Sequence, residues 1–285
     1  MNNGTFPVTF RTWWRLFLCA LLLSVNSGAR ATQSFTVAVV PQFPAEQIFR
    51  DWTPVLNEAS QLSGLAFTLK TYASIPEFES DFLNGRPDFA FMNPYHAVMA
   101  QKAMGYMPIL RDDAGRLTGI LVVRKDSPIT RVDQLKGATL AFPAPNAFGA
   151  SLYMRALLTR EQNIHFKPEY VTTHSNVFRN VIVGRAQAGG AIRQTLEQES
   201  PALQAQLRIL YETPAAYSHP ISAHPRVPAQ VREALLQAFL KMGANPAFAD
   251  QLKAIQIAKP VKADFMDYAP LETLGLERFV VIRPQ

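Results

Sequence analysis

The apolar positions alternate between two spacings along the chain, and this alternation predicts the fold class. Residues 35–40 (FTVAVV) form a nearly continuous apolar run with β-branched side chains, typical of a buried parallel strand. Residues 46–62 instead carry apolar side chains three and four positions apart, which predicts a helix. Strands at 65–71 and 88–92, each followed by a helix, repeat the pattern. The β-α-β-α-β-α order predicts an open, mostly parallel sheet.

A second series of strands and helices begins after a longer apolar strand at 117–124. Further strands are predicted at 138–142, 169–173, 188–192 and 207–212, with helical segments between them. Ligands of open α/β sheets bind beyond the carboxyl ends of the strands, so two facing sheets would enclose a cleft. The loops expected at this cleft are 41–44, 93–95, 143–149, 174–176 and 190–194.

The stretch 138–159 combines a short strand, a proline- and glycine-containing loop at 143–149 and a helix from about 150 to 159. A helix begins with backbone N–H groups that lack intrahelical partners and with the positive end of its dipole. The junction is therefore a candidate anion site. An ordinary connection between a strand and a helix is the alternative.

The first residues predict a secretory signal peptide. Arg11 and Arg15 precede an apolar run at 16–25, and Ala29-Arg30-Ala31 then supplies a cleavage site after Ala31. An uncleaved anchor is the alternative. The single cysteine, Cys19, lies in the apolar run, so the mature chain would have neither a disulfide nor a thiol nucleophile.

Charge and motifs narrow the function classes. Removing Arg11, Arg15 and Arg30 from 28 basic residues leaves 25 against 22 acidic ones, a net charge of +3. This mild excess gives no basis for nucleic-acid binding and is compatible with a small anion. The mature chain has no P-loop, G-x-S-x-G, G-x-G-x-x-G or H-E-x-x-H motif, so neither an enzyme nor a bound cofactor is expected. No metal site is expected, since His219 and His224 have no evident third ligand nearby.

The order of motifs resembles the phosphate/phosphite/phosphonate-type solute-binding proteins of ABC importers. The resemblance is carried by the segments 83–90 (LNGRPDFA), 94–95 (PY), 127–129 (SPI), 133–137 (DQLKG), 174–177 (HSNV) and 183–186 (VGRA). It covers essentially the whole mature chain.

The resemblance implies a type II periplasmic binding fold, which has two α/β lobes, a ligand cleft and two crossover strands. Lobe 1 is predicted at 32–122 plus 216–285, and lobe 2 at 123–215. The implied role is periplasmic capture of a small anion, either phosphonate-, phosphite- or phosphate-like or an organic anion, for an ABC permease of the inner membrane. A sensory protein that reports to a histidine kinase or cyclase is the alternative. The protein is expected to be a monomer.

The candidate ligand residues follow from the cleft loops and from the resemblance. The phosphonate binders have a loop rich in serine and threonine before the central helix, whereas this chain offers only Asn146 and Ser151 as side-chain donors there. Phe148 could present a stacking surface to a larger anion, and Arg193 could clamp an oxyanion. Each candidate has a structural alternative, such as turn formation, helix capping or surface packing. The candidates are Gln42, Asn93, Tyr95, Asn146, Phe148, Ser151, His174, Ser175 and Arg193.

Overall fold

The structure is a computed structural model that describes residues 33–282 together with residues 1, 2 and 4. The predicted signal-peptide cleavage site after Ala31 and nearly all of the leader lie outside the described residues. Within the described residues, every helix is too short or too polar to cross a membrane.

The first sheet has six strands in the order β11-β4-β10-β3-β1-β2. Strand β1 pairs in parallel with β2 and β3, whereas β10, β4 and β11 add an antiparallel half. The strands are β1 (Ser34–Val39), β2 (Ala66–Lys70), β3 (Phe89–Phe91), β4 (Met107–Asp112), β10 (Pro220–Ala223) and β11 (Pro260–Lys262). Its helices are α1 (Ala45–Ser63), α2 (Ile75–Leu83), α3 (Pro94–Met104), α8 (Ala229–Gly243) and α9 (Ala249–Ala254).

The second sheet has five strands in the order β7-β6-β8-β5-β9. Strands β7, β6 and β8 run parallel, and β5 joins β8 and β9 in antiparallel pairs. The strands are β5 (Gly119–Arg124), β6 (Thr139–Phe142), β7 (Lys167–Tyr170), β8 (Ala188–Ile192) and β9 (Leu207–Glu212). The helices are α4 (Tyr153–Arg160), α5 (His174–Ile182), α6 (Arg193–Glu197) and α7 (Pro201–Gln204). Strand β5 begins four residues before the lobe boundary predicted at 122/123.

Two chain segments cross between the sheets, one after β4 and one after β9. They meet at an antiparallel bridge in which Leu117 and Ala216 exchange backbone hydrogen bonds of 2.9 Å. Two α/β lobes joined by two crossing segments are the architecture that the sequence predicts.

Two local features differ from the prediction. Strand β4 is not evident from the sequence because its burial is irregular and it contains Pro108, which pairs with Ser222 where the register shifts. The strand predicted at 169–173 ends early, at Tyr170, and Thr173 instead caps α5 by accepting a hydrogen bond from the N–H of Asn176 at 3.2 Å. Thr172, which lies between the strand and the cap, adopts a left-handed conformation (φ 77°) that turns the chain into α5 at His174.

The central helix begins with a π turn at Phe148–Leu152 that continues into α4. This turn packs backbone to backbone against β5 and β8. A Cβ at Gly119 would lie 2.1 Å from the carbonyl oxygen of Gly149, and one at Gly190 would lie 2.0 Å from that of Ala150. Glycine at 119 and 190 therefore lets the helix start sit directly on the sheet.

Candidate ligand-binding site

The loop after β6 ends in a helix start with unpaired backbone donors. Within residues 33–282, the N–H groups of Phe148, Gly149 and Ala150 have no hydrogen-bond acceptor. The next N–H, that of Ser151, already donates to the carbonyl oxygen of Ala147 at 2.7 Å. Three adjacent donors at the positive end of a helix are the arrangement that binds anions.

These donors belong to a small cavity between the two sheets. The volume open to the centre of a water molecule is about 10 Å³, which is roughly the space that one water molecule needs. Its walls come from the ends of β1, β3 and β8, from both crossing segments and from the first turn of α5. The lining residues are Val40, Gln42, Ile75, Asn93, Leu117, Ala147, Phe148, Gly149, Ala150, His174, Ile192 and His219.

His174 presents a hydrogen-bond acceptor at this cavity. Its Nδ1 lies 3.3 Å from the hydroxyl of Thr195, which donates its only proton to the carbonyl oxygen of Ile192 at 2.7 Å. Nδ1 must therefore carry the ring proton, so Nε2 is an acceptor, and it has no partner within residues 33–282. Burial lowers the pKa of His174 to about 3, so the ring is neutral at physiological pH.

His219 is a second neutral histidine in the same wall. Its Nε2 lies 3.1 Å from the side-chain nitrogen of Gln42, so this ring nitrogen accepts and Nδ1 carries the proton. Burial, with smaller contributions from His174 and His96, lowers the pKa of His219 to about 3. The backbone carbonyl oxygen of Gln42 also accepts a hydrogen bond from the backbone N–H of His174 at 3.3 Å. This bond joins the two lobes.

The cavity therefore has strong dipoles but no formal charge. None of its twelve lining residues is acidic or basic, apart from the two neutral histidines. An anion in this position would be held by backbone N–H groups without the cost of burying a cation beside it.

Only some of the predicted ligand residues lie at this cavity. Gln42, Asn93, Phe148 and His174 line it, whereas Tyr95, Asn146, Ser151 and Ser175 do not. Ser175 is buried in the first turn of α5. Arg193 lines a neighbouring cavity.

Asn146 and Asn93 instead hold the loop in place. The Asn146 amide donates to the carbonyl oxygen of Val281 at 2.9 Å and to the Glu79 carboxylate at 3.1 Å, and its oxygen accepts from the N–H of Val281 at 2.9 Å. Asn93 caps α3 by accepting from His96 and donates to the carbonyl oxygen of Asn146 at 3.0 Å. Both N–H donors of the Asn146 side chain are thus used by protein partners.

The aromatic candidates pack on one another. The Phe148 ring stacks against Tyr95 from the other lobe (centroids 6.4 Å apart, planes 8° apart) and against Tyr153 (5.6 Å, 13°). Ser151 accepts a hydrogen bond from Nε of Arg155 at 3.1 Å. These contacts close the lobes on the far side of the loop and leave Ser151 facing α4.

Arg193 lies at a larger cavity of about 500 Å³ that shares Leu117, Ile192 and His219 with the small one. It is the first residue of α6, and its guanidinium pairs with the carboxylate of Glu212. The candidate site is therefore two adjoining cavities with a common wall.

The C-terminal strap, defined here as residues 274–282, binds the helix and the loop from outside. The carbonyl oxygens of Leu274 and Phe279 accept from Arg160 (2.9 Å) and Arg155 (2.8 Å), and Val281 pairs with Asn146 as described above. Leu276 is fully buried. The strap thereby fixes the loop whose N–H groups line the small cavity.

Sequence reasoning did not place His219 or Leu117 at the cleft, and it included Ile192 only as part of the loop 190–194. His219 was considered only for a metal, yet it precedes β10 at the point where the chain returns to the first sheet, which places it at the cleft. Among the described residues no group of three or more potential ligands could hold a metal ion.

Two α/β lobes with a dipole-lined cleft and paired crossing segments define a type II periplasmic binding protein. Residues 37–268 match the sequence profile of the family described as "ABC transporter, phosphonate, periplasmic substrate-binding protein", and the chain belongs to this family. Its members serve ABC importers as substrate-binding proteins and are not enzymes. No curated protein matches the chain significantly.

Solved structures share the fold at low sequence identity. A binding component of an ABC phosphonate transporter from Pseudomonas aeruginosa is 16% identical with a TM-score of 0.78, covering 87% of this chain and 88% of that one. PhnD1 from Prochlorococcus marinus in complex with methylphosphonate is 15% identical with a TM-score of 0.78, covering 87% and 98%. XAC2383 from Xanthomonas citri bound to ATP is 17% identical with a TM-score of 0.70, covering 87% and 98%.

Proposed function

We propose that this protein captures a phosphonate, or a phosphite or phosphate of similar shape, between its lobes and delivers it to an ABC permease. The observation that carries the proposal is that the N–H groups of Phe148, Gly149 and Ala150 have no acceptor within residues 33–282 and lie in an uncharged cavity between the lobes. Phosphoryl oxygens are among the anionic groups that bind at such a helix start. The methylphosphonate complex of the Prochlorococcus protein supports the same ligand class.

His174 gives this site a preference for a protonated oxyanion. Its free Nε2 accepts hydrogen bonds, so it pairs with the P–OH of a singly charged phosphonate and repels an unprotonated oxygen. A sulfonate has the same shape but no proton near neutral pH. A site built to accept that proton should therefore discriminate against sulfonates.

Access requires the lobes to separate, because the small cavity has room for about one water molecule. The lobes are proposed as residues 33–112 plus 219–282 and residues 119–212, which hinge at the bridge between Leu117 and Ala216. Ligand then stabilises the closed form, which the permease recognises. The protein is proposed to act as a periplasmic monomer after cleavage at Ala31.

The test is a thermal and calorimetric titration of residues 32–285 with methylphosphonate, phosphite, phosphate, methanesulfonate and acetate. A phosphoryl ligand at a hundredfold excess over its Kd should stabilise the protein by about 2.7 kcal/mol. Methanesulfonate should bind at least about tenfold more weakly. Stabilisation by acetate alone, or by none of the five anions, would overturn the proposal.

A further inference from the structure

The larger cavity differs from the small one in carrying charge. Its basic lining residues come from three elements: Arg116 from the first crossing segment, Arg193 from α6 and Lys253 from α9. Its acidic lining residues are Asp112 and Glu197. The charges on this wall are therefore three positive and two negative, and their pairing decides what the cavity can bind.

One of the two acidic groups accepts hydrogen bonds from backbone N–H groups, and the other is exposed to solvent. The Asp112 carboxylate accepts the backbone N–H of Lys259 at 2.7 Å and also interacts with the N–H groups of Ala114 and Gly115, so it closes the turn after β4. Glu197 is an exposed residue in the last turn of α6. Neither carboxylate forms a salt bridge to a basic residue of the cavity within residues 33–282.

Two of the cations lack a carboxylate partner. Arg193 is paired with Glu212, but Arg116 and Lys253 form no ion pair within the described part of the chain. The Arg116 guanidinium lies over the Tyr217 ring, with its carbon 3.7 Å from the ring centroid. Stacking on the ring fixes the guanidinium while its edge N–H groups stay available to an anion.

We propose that the larger cavity receives a second anionic group of the ligand, such as a carboxylate, held by Arg116 and Lys253. The inference rests on the proposed function, since the phosphoryl end occupies the adjoining N–H site. The shared wall of Leu117, Ile192 and His219 connects the two positions. A volume of about 500 Å³ exceeds what one phosphonate group fills, so the cavity suits the organic part of a longer ligand.

The experiment compares four phosphonates by calorimetry: methylphosphonate, 3-phosphonopropionate, its uncharged carboxamide and 2-aminoethylphosphonate. The carboxylate should bind at least about tenfold more tightly than the carboxamide, because a charge-assisted hydrogen bond replaces a neutral one. The cationic aminoethyl compound should bind more weakly than methylphosphonate. The carboxamide controls for size, since it differs from the carboxylate chiefly in charge.

Variants then locate the effect. Arg116→Gln and Lys253→Gln should each reduce the preference for carboxylate over carboxamide about threefold or more and leave methylphosphonate within about twofold. Both residues are exposed, so folding should be unaffected. Lys136→Gln removes the same charge at an exposed position outside either cavity and should change nothing.

The outcomes separate the two proposals. Equal binding of carboxylate and carboxamide, or a preference that survives both substitutions, overturns the second anionic position and leaves phosphonate capture intact. Binding of none of the four compounds overturns both. Tightest binding of the aminoethyl compound overturns the assigned sign of the charge.

Discussion

The two cavities share a wall and treat charge in opposite ways. The small one is lined by backbone N–H groups and two histidines that burial keeps neutral. The larger one is lined by exposed basic side chains. A buried cation would lose its hydration, whereas the backbone dipoles are already fixed by the helix. An exposed cation of the larger cavity keeps most of its hydration. The contrast indicates that affinity for the phosphoryl group comes from the N–H groups of the helix start. Selection among ligands comes from the basic residues of the larger cavity.

The largest expected effect comes from disrupting the close packing of the helix start against the sheet at Gly119. In Gly119→Ala the new methyl carbon would lie 2.1 Å from the Gly149 carbonyl oxygen, so the helix must move off the sheet. We expect the unfolding free energy to fall by about 3 kcal/mol. We also expect methylphosphonate binding to be lost. Denaturant titration and calorimetry measure both. Gly115→Ala is the matched control, because no atom lies within 4 Å of its new carbon. Equal effects of the two substitutions would contradict the role of Gly119 in packing the helix start against the sheet.

Asn146→Ala tests whether the loop is held from outside. It breaks the pair with Val281 and leaves the buried Glu79 carboxylate short of a donor. Loss of these bonds should lower the unfolding free energy by about 2 kcal/mol. Asn84→Ala removes an exposed amide that bonds the Ser80 carbonyl oxygen and should cost far less. Similar denaturant midpoints for the two variants would contradict the assignment.

The neutral histidines predict a pH dependence of stability. Their folded-state pKa of about 3 lies below the unfolded value of about 6.5, so the unfolded chain gains protons first as pH falls. Stability is therefore full above pH 6.5 and declines toward pH 3, by up to about 1.4 kcal/mol per pH unit for each ring.

The variant His174→Gln isolates one of these rings. Its loss of stability between pH 7.5 and 5 should be about 2 kcal/mol smaller than that of the wild type, measured from urea titrations at both pH values. An unchanged loss would show that the His174 ring takes up its proton over the same pH range in the folded and the unfolded protein.

The smallest expected effect is that of ionic strength on binding at the larger cavity. Raising the ionic strength from about 0.05 to 0.5 M should weaken binding of 3-phosphonopropionate a few-fold more than that of its carboxamide, because exposed charges are screened. Calorimetry at both ionic strengths measures the ratio. A ratio independent of salt would argue against Arg116 and Lys253 as the origin of the preference.

The fold was predictable because it depends on local patterns. Strand-end reasoning placed the loop 143–149 and His174 at the cleft, since parallel strands present their carboxyl ends at one edge. Asn146 and Tyr95 were assigned to ligand, but their partners, Val281 and Phe148, come from other parts of the chain. No local pattern encodes a pairing over 135 residues, and the same limit hid His219 and the strap.

The C-terminal strap also affects how the chain folds. Its bond to Asn146 closes a loop of 135 residues, which costs more chain entropy than a local contact does. A nascent chain therefore lacks this contact until Val281 has been synthesised. For a protein exported to the periplasm, as proposed, the precursor would lack this stabilising contact during most of its synthesis.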